Sequence, residues 1–576
     1  MPSYPYGDNN NYGSVPHGST DQFPPSASNA HLSPRGEKPY EYNYDAPVPQ
    51  KRGVSKWIKF GIPLLLLVIA GAVVGGIFGS RVANDSKSRA NANAAAQGGS
   101  SSASSGSGTS SQATGTSGTS SSPSRTSSST PSATPTTVPG QYTVTNRPAW
   151  DWSQDKSIGM CLGNWLILER WMNEDWFIQV AGNSSLDEWT LSQVLGDKLP
   201  SVMQEHYNTW ITESDFDIMA QSGVNLIRIP TGFWAFIPTV SGEPYYNNIT
   251  ELQFQLNKVL GWAYARNMYA VIDLHGLPGS QNGEQSSGHL TTSPAWFGNT
   301  VNQGRSDATV TAVTDFIEAS AFRSILAGIE VINEPRPYTE AQNQELMAYY
   351  ERSYKTIQAS AWPVTTFIHD GYVATGFEYW RSFAAAHATN PPSMVIEDHP
   401  YPGNFPPQNS SSNILAQVCA AAKRYLNYPI PVVVTEWSLY TGVKSLAFEK
   451  QFYESQLVTW AWSSGGMYWS YKLVPSQDQL AQGLDYSQYS FIYLVNQGAI
   501  TNPGDVGVAN TNTRSNAQKY LDSLSGNCGT PPTMWHPAGT GNYTATSVTD
   551  TNLGADAPSA TASSGSSSRR VKRALY

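Results

Sequence analysis

The chain has 576 residues, and only 13% of them are charged, well under the ~25% of an ordinary globular domain. It nevertheless carries 18 Trp, 31 Tyr and 18 Phe, which excludes a wholly disordered chain. A net charge of -9 argues against a nucleic-acid partner, and three Cys exclude a disulfide-dense scaffold and a four-Cys metal centre.

Residues 1–56 are rich in Tyr, Pro, Asn and Gly, without helical or strand period, and read as a disordered tail. Residues 60–79 form an apolar run without a charge, FGIPLLLLVIAGAVVGGIFG. About 20 residues rising 1.5 Å each cross the ~30 Å hydrocarbon core, so a transmembrane signal-anchor is expected over 57–80. Lys51, Arg52, Lys56 and Lys59 precede it and favour a cytoplasmic N-terminus. Acceptor sites for N-glycosylation follow the run, at Asn84, Asn183, Asn248, Asn409 and Asn542, and none precedes it. Residues 81–141 are dominated by Ser, Thr, Gly, Ala and Pro, the composition of a glycosylated or flexible stalk. A Trp-rich zone, 142–528, is the folded domain, and 529–576 returns to Ser, Thr, Gly and Ala as a second disordered tail.

Within 142–528, eight short apolar runs recur: 158–166, 224–230, 270–275, 328–333, 364–369, 394–399, 432–436 and 466–470. Stretches with helical spacing separate them, such as Leu252, Leu256, Val259, Leu260 and Ala263. Continuous apolar strands alternating with helices mean a parallel sheet covered on both faces. Eight repeats predict an α/β fold, a (β/α)8 TIM barrel, with its site at the strand C-terminal ends. Those ends read Arg228, His275, Asn333-Glu334, His369-Asp370, His399-Pro400-Tyr401, Glu436-Trp437 and Trp469.

Glu334 and Glu436 follow the fourth and seventh predicted strands, across the barrel mouth from each other. Two facing carboxylates suit glycoside hydrolysis, with retention at a gap of ~5–5.5 Å and inversion at a wider one. The sequence leaves that gap open. Neither H-E-x-x-H nor G-x-S-x-G occurs, so neither a metal nor a serine nucleophile is expected. Arg228 is placed to pair with a carboxylate, Asn333 to hydrogen-bond a sugar hydroxyl, His399 and Tyr401 to orient the nucleophile, and Trp469 to floor the sugar ring.

Several segments resemble glycoside hydrolase family 5, and within it the membrane-anchored fungal exo-β-1,3-glucanases. They are GMCLGNWLILERW (159–171), DEWTL (187–191), ITESDFDIMAQSGVNLIRIPTGFWAF (211–236), IDLHGLPGSQNG (272–283), GIEVINEP (328–335), DHPY (398–401) and VVVTEWS (432–438). The resemblance implies Glu334 as acid/base and Glu436 as nucleophile of a retaining double displacement. It implies substrate contacts from Arg228, His275, Asn333, His399, Tyr401 and Trp469, and from Glu169 and Trp171 at the terminal glucose. It also implies a Cys419–Cys528 disulfide, no cofactor, β-glucan as substrate, and a monomer at the plasma membrane with its catalytic domain facing the cell wall. Cys161 is expected as a buried free thiol. The chain departs from the family at Asn164, at Arg170, and at Glu284, where an aromatic usually clamps the next glucose opposite Phe405. A different linkage such as β-1,6, transglucosylation, or a non-catalytic glucan-binding barrel are the alternatives.

Overall fold

The computed structural model describes residues 136–137 and 142–529, apart from 374. The expected anchor, most of the stalk, both tails, Asn84 and Asn542 lie outside the described residues. Among those described, no helix is long and apolar enough to cross a membrane.

Eight strands close into a barrel: β1 (Ser157–Cys161), β2 (Leu226–Gly232), β3 (Tyr269–Gly276), β4 (Leu326–Glu330), β5 (Thr365–His369), β6 (Met394–Asp398), β7 (Val432–Trp437) and β8 (Gly465–Tyr468). Each pairs in parallel with its neighbour, and β8 closes on β1 with Gly465 opposite Ser157. All eight apolar runs overlap a strand, but the bounds differ. β1 stops at Cys161, and Asn164 beyond it has φ 57°, which extended backbone does not adopt. β4 stops at Glu330, so Asn333 and Glu334 belong to the loop above it.

Helices ring the barrel. The helix α1 (Ile249–Ala265) buries Leu252, Leu256, Val259, Leu260 and Ala263, the stripe its spacing predicts. Full burial of each large side chain contributes roughly 1.5–3 kcal/mol. Asn248 caps this helix, accepting from the Glu251 amide. Inside the barrel, Leu226, Val271, Ala327, Phe367, Val395, Val433 and Met467 pack together. Gly328 is required here, because a Cβ at that position would lie 2.3 Å from the Phe367 ring. Cys161, the buried free thiol, belongs to the same cluster.

Cys419, on α2 (Ser411–Tyr425), is disulfide-bonded to Cys528 beyond the last helix, Arg514–Ser523. The bridge closes a loop of 109 residues. By loop-closure entropy, opening it as Cys528→Ala is expected to lower unfolding free energy by about 4–5 kcal/mol. Denaturant titration of the oxidised protein and the variant checks this; a loss below about 1 kcal/mol would contradict it.

Candidate active site

Alternation along each strand builds the site. Side chains two apart share a face, so the apolar plug formed by Leu226, Val271, Phe367, Val395, Val433 and Met467 is followed by a second layer. Two residues on come Arg228, Asp273, His369, Glu397, Thr435 and Trp469. The mouth is therefore polar while the interior below it stays dry. Every member of this upper layer is buried.

Arg228 is its hub. Nε and Nη2 donate to Glu330 at 2.6 Å each, Nη1 donates to Glu436 Oε1 at 2.8 Å, and Nη2 donates to Asn333 Oδ1 at 2.9 Å. Asp273 Oδ2 lies 3.0 Å from Nη2. One cation thus serves several buried carboxylates, and burial outweighs it at some of them. Burial pushes Asp273 up to about 7 against the pull of Arg228. Burial also raises Glu330, and raises Glu397 well above the carboxylate range, aided by Glu330.

The two expected catalytic carboxylates are held differently. Glu436 has both oxygens engaged: Arg228 donates to Oε1, and the Tyr401 hydroxyl donates to Oε2 at 2.6 Å. Glu334 Oε1 accepts from the Tyr372 hydroxyl and stands 2.9 Å from His399 Nδ1. The same Nδ1 is 3.5 Å from Glu436 Oε2, so the gap between these two carboxylate oxygens cannot exceed the sum of those distances. Burial would lower the His399 imidazolium, but Glu436 and Glu334 more than offset this and raise it. The backbone is left-handed at Glu334 (φ 42°), Tyr372 (φ 51°) and Tyr401 (φ 40°). Such strain, about 1–3 kcal/mol each, gathers where side chains must be aimed against local preference.

These groups open into a cleft of about 550 Å³. It is lined by all the expected site residues except Arg228 and His399, which lie beneath it. At one end, Trp171 donates to Glu169 Oε2 at 2.8 Å and packs edge-on against Tyr486 and Tyr489. Burial pushes Glu169 up to about 7. His275, whose proton affinity burial and Arg228 lower, stacks on Trp469 with rings 5° from parallel and 5.3 Å apart. Its Nδ1 is 2.7 Å from Asp273. Phe405 lies in the cleft lining and is 42% exposed. Glu284 is there too, and Arg336 donates to it at 2.6 Å. Glu284, noted in the sequence as a departure from an aromatic position, thus stands here as half of an ion pair.

Sequence reading missed Asp273, Glu330, Glu397, Thr435 and Tyr372. The first four were detectable: they lie on the strands, and period-two alternation from the apolar plug points to Asp273, Glu397 and Thr435. Tyr372 gives no such signal, because a loop delivers it. Two groups bring ligand atoms within 4.8 Å of one another: Glu334, His369 and His399, and Glu330, Glu397 and His399. Arg228 already holds Glu330 through both oxygens, so a cation in the second group would face a guanidinium. Of the expected glycosylation sites, Asn183, Asn248 and Asn409 are exposed.

Residues 192–471 match the family model described as Cellulase (glycosyl hydrolase family 5). Glucan 1,3-beta-glucosidase 1 of Schizosaccharomyces pombe is 34% identical over 298 residues, covering 51% of this chain and 70% of that protein. The chain belongs to glycosyl hydrolase family 5. It is a glycosidase. The probable glucan 1,3-beta-glucosidase A of Emericella nidulans is likewise 34% identical, over 49% of this chain and 67% of that protein. Among solved structures, rutinosidase from Aspergillus niger superposes with a TM-score of 0.54 at 24% identity, covering 62% of this chain and all of that one. That likeness bears on the fold alone.

The raised proton affinity of Glu169 has a stability consequence. The folded state keeps its proton up to about pH 7, whereas the unfolded side chain ionises near 4.5. Below about pH 4.5 both states are protonated and the favourable contribution is fully present; it is lost as pH rises towards 7. Glu169→Gln is expected to remove this loss, on the order of 3 kcal/mol between pH 4.5 and 7.5. Urea midpoints of the enzyme and variant at both pH values test it; parallel pH dependence would count against the assignment.

Proposed function

We propose that this family 5 glycosidase releases glucose from the non-reducing end of β-1,3-glucan with retention of configuration. Glu334 serves as acid/base and Glu436 as nucleophile. The observation that carries this reading is the pair of contacts made by His399 Nδ1. The ceiling they set on the Glu334 Oε1–Glu436 Oε2 distance favours the ~5–5.5 Å carboxyl spacing of retaining glycosidases over the ~6.5–9.5 Å of inverting ones. The curated relatives named as glucan 1,3-beta-glucosidases support the substrate class.

Each residue then has a step. Glu436, oriented by Arg228 and Tyr401, attacks the anomeric carbon. Glu334 protonates the leaving oxygen, so the glycosidic bond breaks as the glycosyl-enzyme bond forms. In the second half Glu334 takes a proton from water, whose oxygen displaces Glu436. Asn333 receives the 2-hydroxyl of the reacting glucose, and Glu169 and Trp171 bind its far side. Trp469, fixed by its stack on His275, floors the ring. The Tyr486 and Tyr489 wall behind Trp171 supports a cleft closed at that end, and with it exo action.

The full protein is proposed as a type II plasma-membrane enzyme, anchored through 57–80 and held off the bilayer by 81–141, so that 142–528 meets wall glucan. The exposed acceptor sites at Asn183, Asn248 and Asn409 support a lumenal or extracellular domain. The Arg336–Glu284 ion pair favours a second reading of the acceptor side. A charged pair offers hydrogen bonds to sugar hydroxyls, whereas an aromatic offers a stacking face. That difference fits a linkage other than β-1,3, or transfer to a second sugar.

Two experiments test these readings. Glu334→Gln is expected to lower kcat/KM on laminarin by about 10²–10⁴-fold, and the native enzyme to release β-glucose first by NMR; α-glucose as the first product would sink the retaining mechanism. Glu284→Phe is expected to change KM for laminarin and the ratio of transfer to hydrolysis. If neither moves, this residue is not part of the acceptor site.

A further inference from the structure

Below Glu334 the polar side chains form a single file. Glu334 Oε1 is 2.9 Å from His399 Nδ1, and His399 Nε2 is 2.9 Å from Thr435 Oγ1. The Thr435 hydroxyl in turn donates to Glu397 Oε2 at 2.8 Å. Thr435 and Glu397 are fully buried and His399 is 3% exposed. A hydroxyl has one hydrogen. With the proton that burial favours on Glu397 held at Oε1, Oε2 accepts the hydroxyl hydrogen; only lone pairs then face His399, so Nε2 must bring the hydrogen of that bond. Nδ1 is then the nitrogen whose proton comes and goes.

Resting on the reading of Glu334 as acid/base, we propose that Thr435 and Glu397 are positioning residues: they keep a hydrogen on His399 Nε2 and dedicate Nδ1 to proton exchange with Glu334. The two groups then share one exchangeable proton. When the Glu334 O–H bond breaks and its proton goes to the leaving oxygen, an unprotonated Nδ1 faces the new carboxylate. Lone pair against negative charge strengthens the pull of Glu334 on the next proton. That proton comes from the attacking water, the O–H bond of Glu334 re-forms, and His399 ends as it began.

Other charges surround the ring. Glu436 approaches Nδ1 to 3.5 Å, the His369 ring packs edge-on at 4.8 Å, and Glu330 belongs to the group whose ligand atoms lie within 4.8 Å of one another. Arg228, Asp273 and Asp370 act on it through their fields. All of these persist when Thr435 is changed, so a difference between variants reads the Thr435 link.

The test is kcat/KM against pH for the full-length enzyme, Thr435→Val and Thr435→Ser. In Thr435→Val the neutral ring is free to carry its hydrogen on Nδ1 and donate it to ionised Glu334. The alkaline limb is therefore expected to move down by about one pH unit, with kcat falling more than KM rises. Thr435→Ser keeps the hydroxyl and is expected to restore the profile. Nitrogen NMR of histidine-labelled native protein is expected to show His399 Nε2 protonated across the whole titration. An unmoved alkaline limb in an active, folded Thr435→Val, an equal shift in Thr435→Ser, or loss of the Nε2 hydrogen at high pH would each overturn the proposal. If Glu334 were not the acid/base, the alkaline limb would lose its link to Thr435 while the Nε2 signature persisted, which separates the two failures.

Discussion

One guanidinium, buried at the barrel mouth, sets the terms for everything around it. Removing a charge from water costs several kcal/mol, repaid only where partners are close and well aimed. Arg228 meets that condition with two bonds to Glu330, one to Glu436 and one to Asn333. The barrel supplies those partners from different strands and loops, so the network also fixes their relative positions. Breaking it would strand carboxylates in a dry interior, a larger penalty than the pair itself is worth.

The same network explains why so many acids gather in one place. A single positive charge cannot hold Asp273, Glu330, Glu397 and Glu436 all ionised. Asp273 and Glu330 stand opposite each other on neighbouring strands, and two buried carboxylates so placed favour a proton on one of them. Burial therefore sorts the carboxyls into ionised and proton-bearing roles. Glu436 is fixed through both oxygens by two different donors, Arg228 and Tyr401. Glu334 instead meets Tyr372 and His399, groups that exchange or share protons. The proposed nucleophile and acid/base need this contrast, and here neighbours, not residue type, supply it.

Much of this was legible in the sequence because the barrel maps chain position onto space simply. Each apolar run overlaps a strand, and each strand ends at the mouth, so Arg228, His275, His399 and Glu436 could be placed together by counting. Two kinds of information were hidden. Strand ends are fixed by local backbone, and Asn164 and Glu334 leave the extended region earlier than hydrophobicity indicates. The layer beneath the mouth was overlooked because Asp273, Glu397 and Thr435 sit inside apolar runs and read as interruptions. They become visible only when alternation is followed from the plug residues Val271, Val395 and Val433. Tyr372, Tyr486 and Tyr489 come from loops whose path depends on tertiary packing, which no local pattern encodes.

The two ends of the cleft differ in a way that bears on how the enzyme divides its product. Beside Glu169, Trp171 is locked by a hydrogen bond and by two tyrosine rings, so the sugar proposed there would meet a surface already ordered, with little further side-chain entropy lost on binding. At the other end, Phe405 is exposed and the facing polarity comes from Arg336 and Glu284, whose side chains stay 19% and 31% accessible. Partly solvated ion pairs bind weakly and exchange partners with water readily. In the proposed double displacement, a rigid donor side and a wet acceptor side would hold the glycosyl-enzyme while leaving its second substrate weakly specified. On the proposed reading, water and sugar hydroxyls would compete there on concentration more than on fit, and the balance between hydrolysis and transfer would be set at Glu284 and Arg336 rather than at the carboxylates.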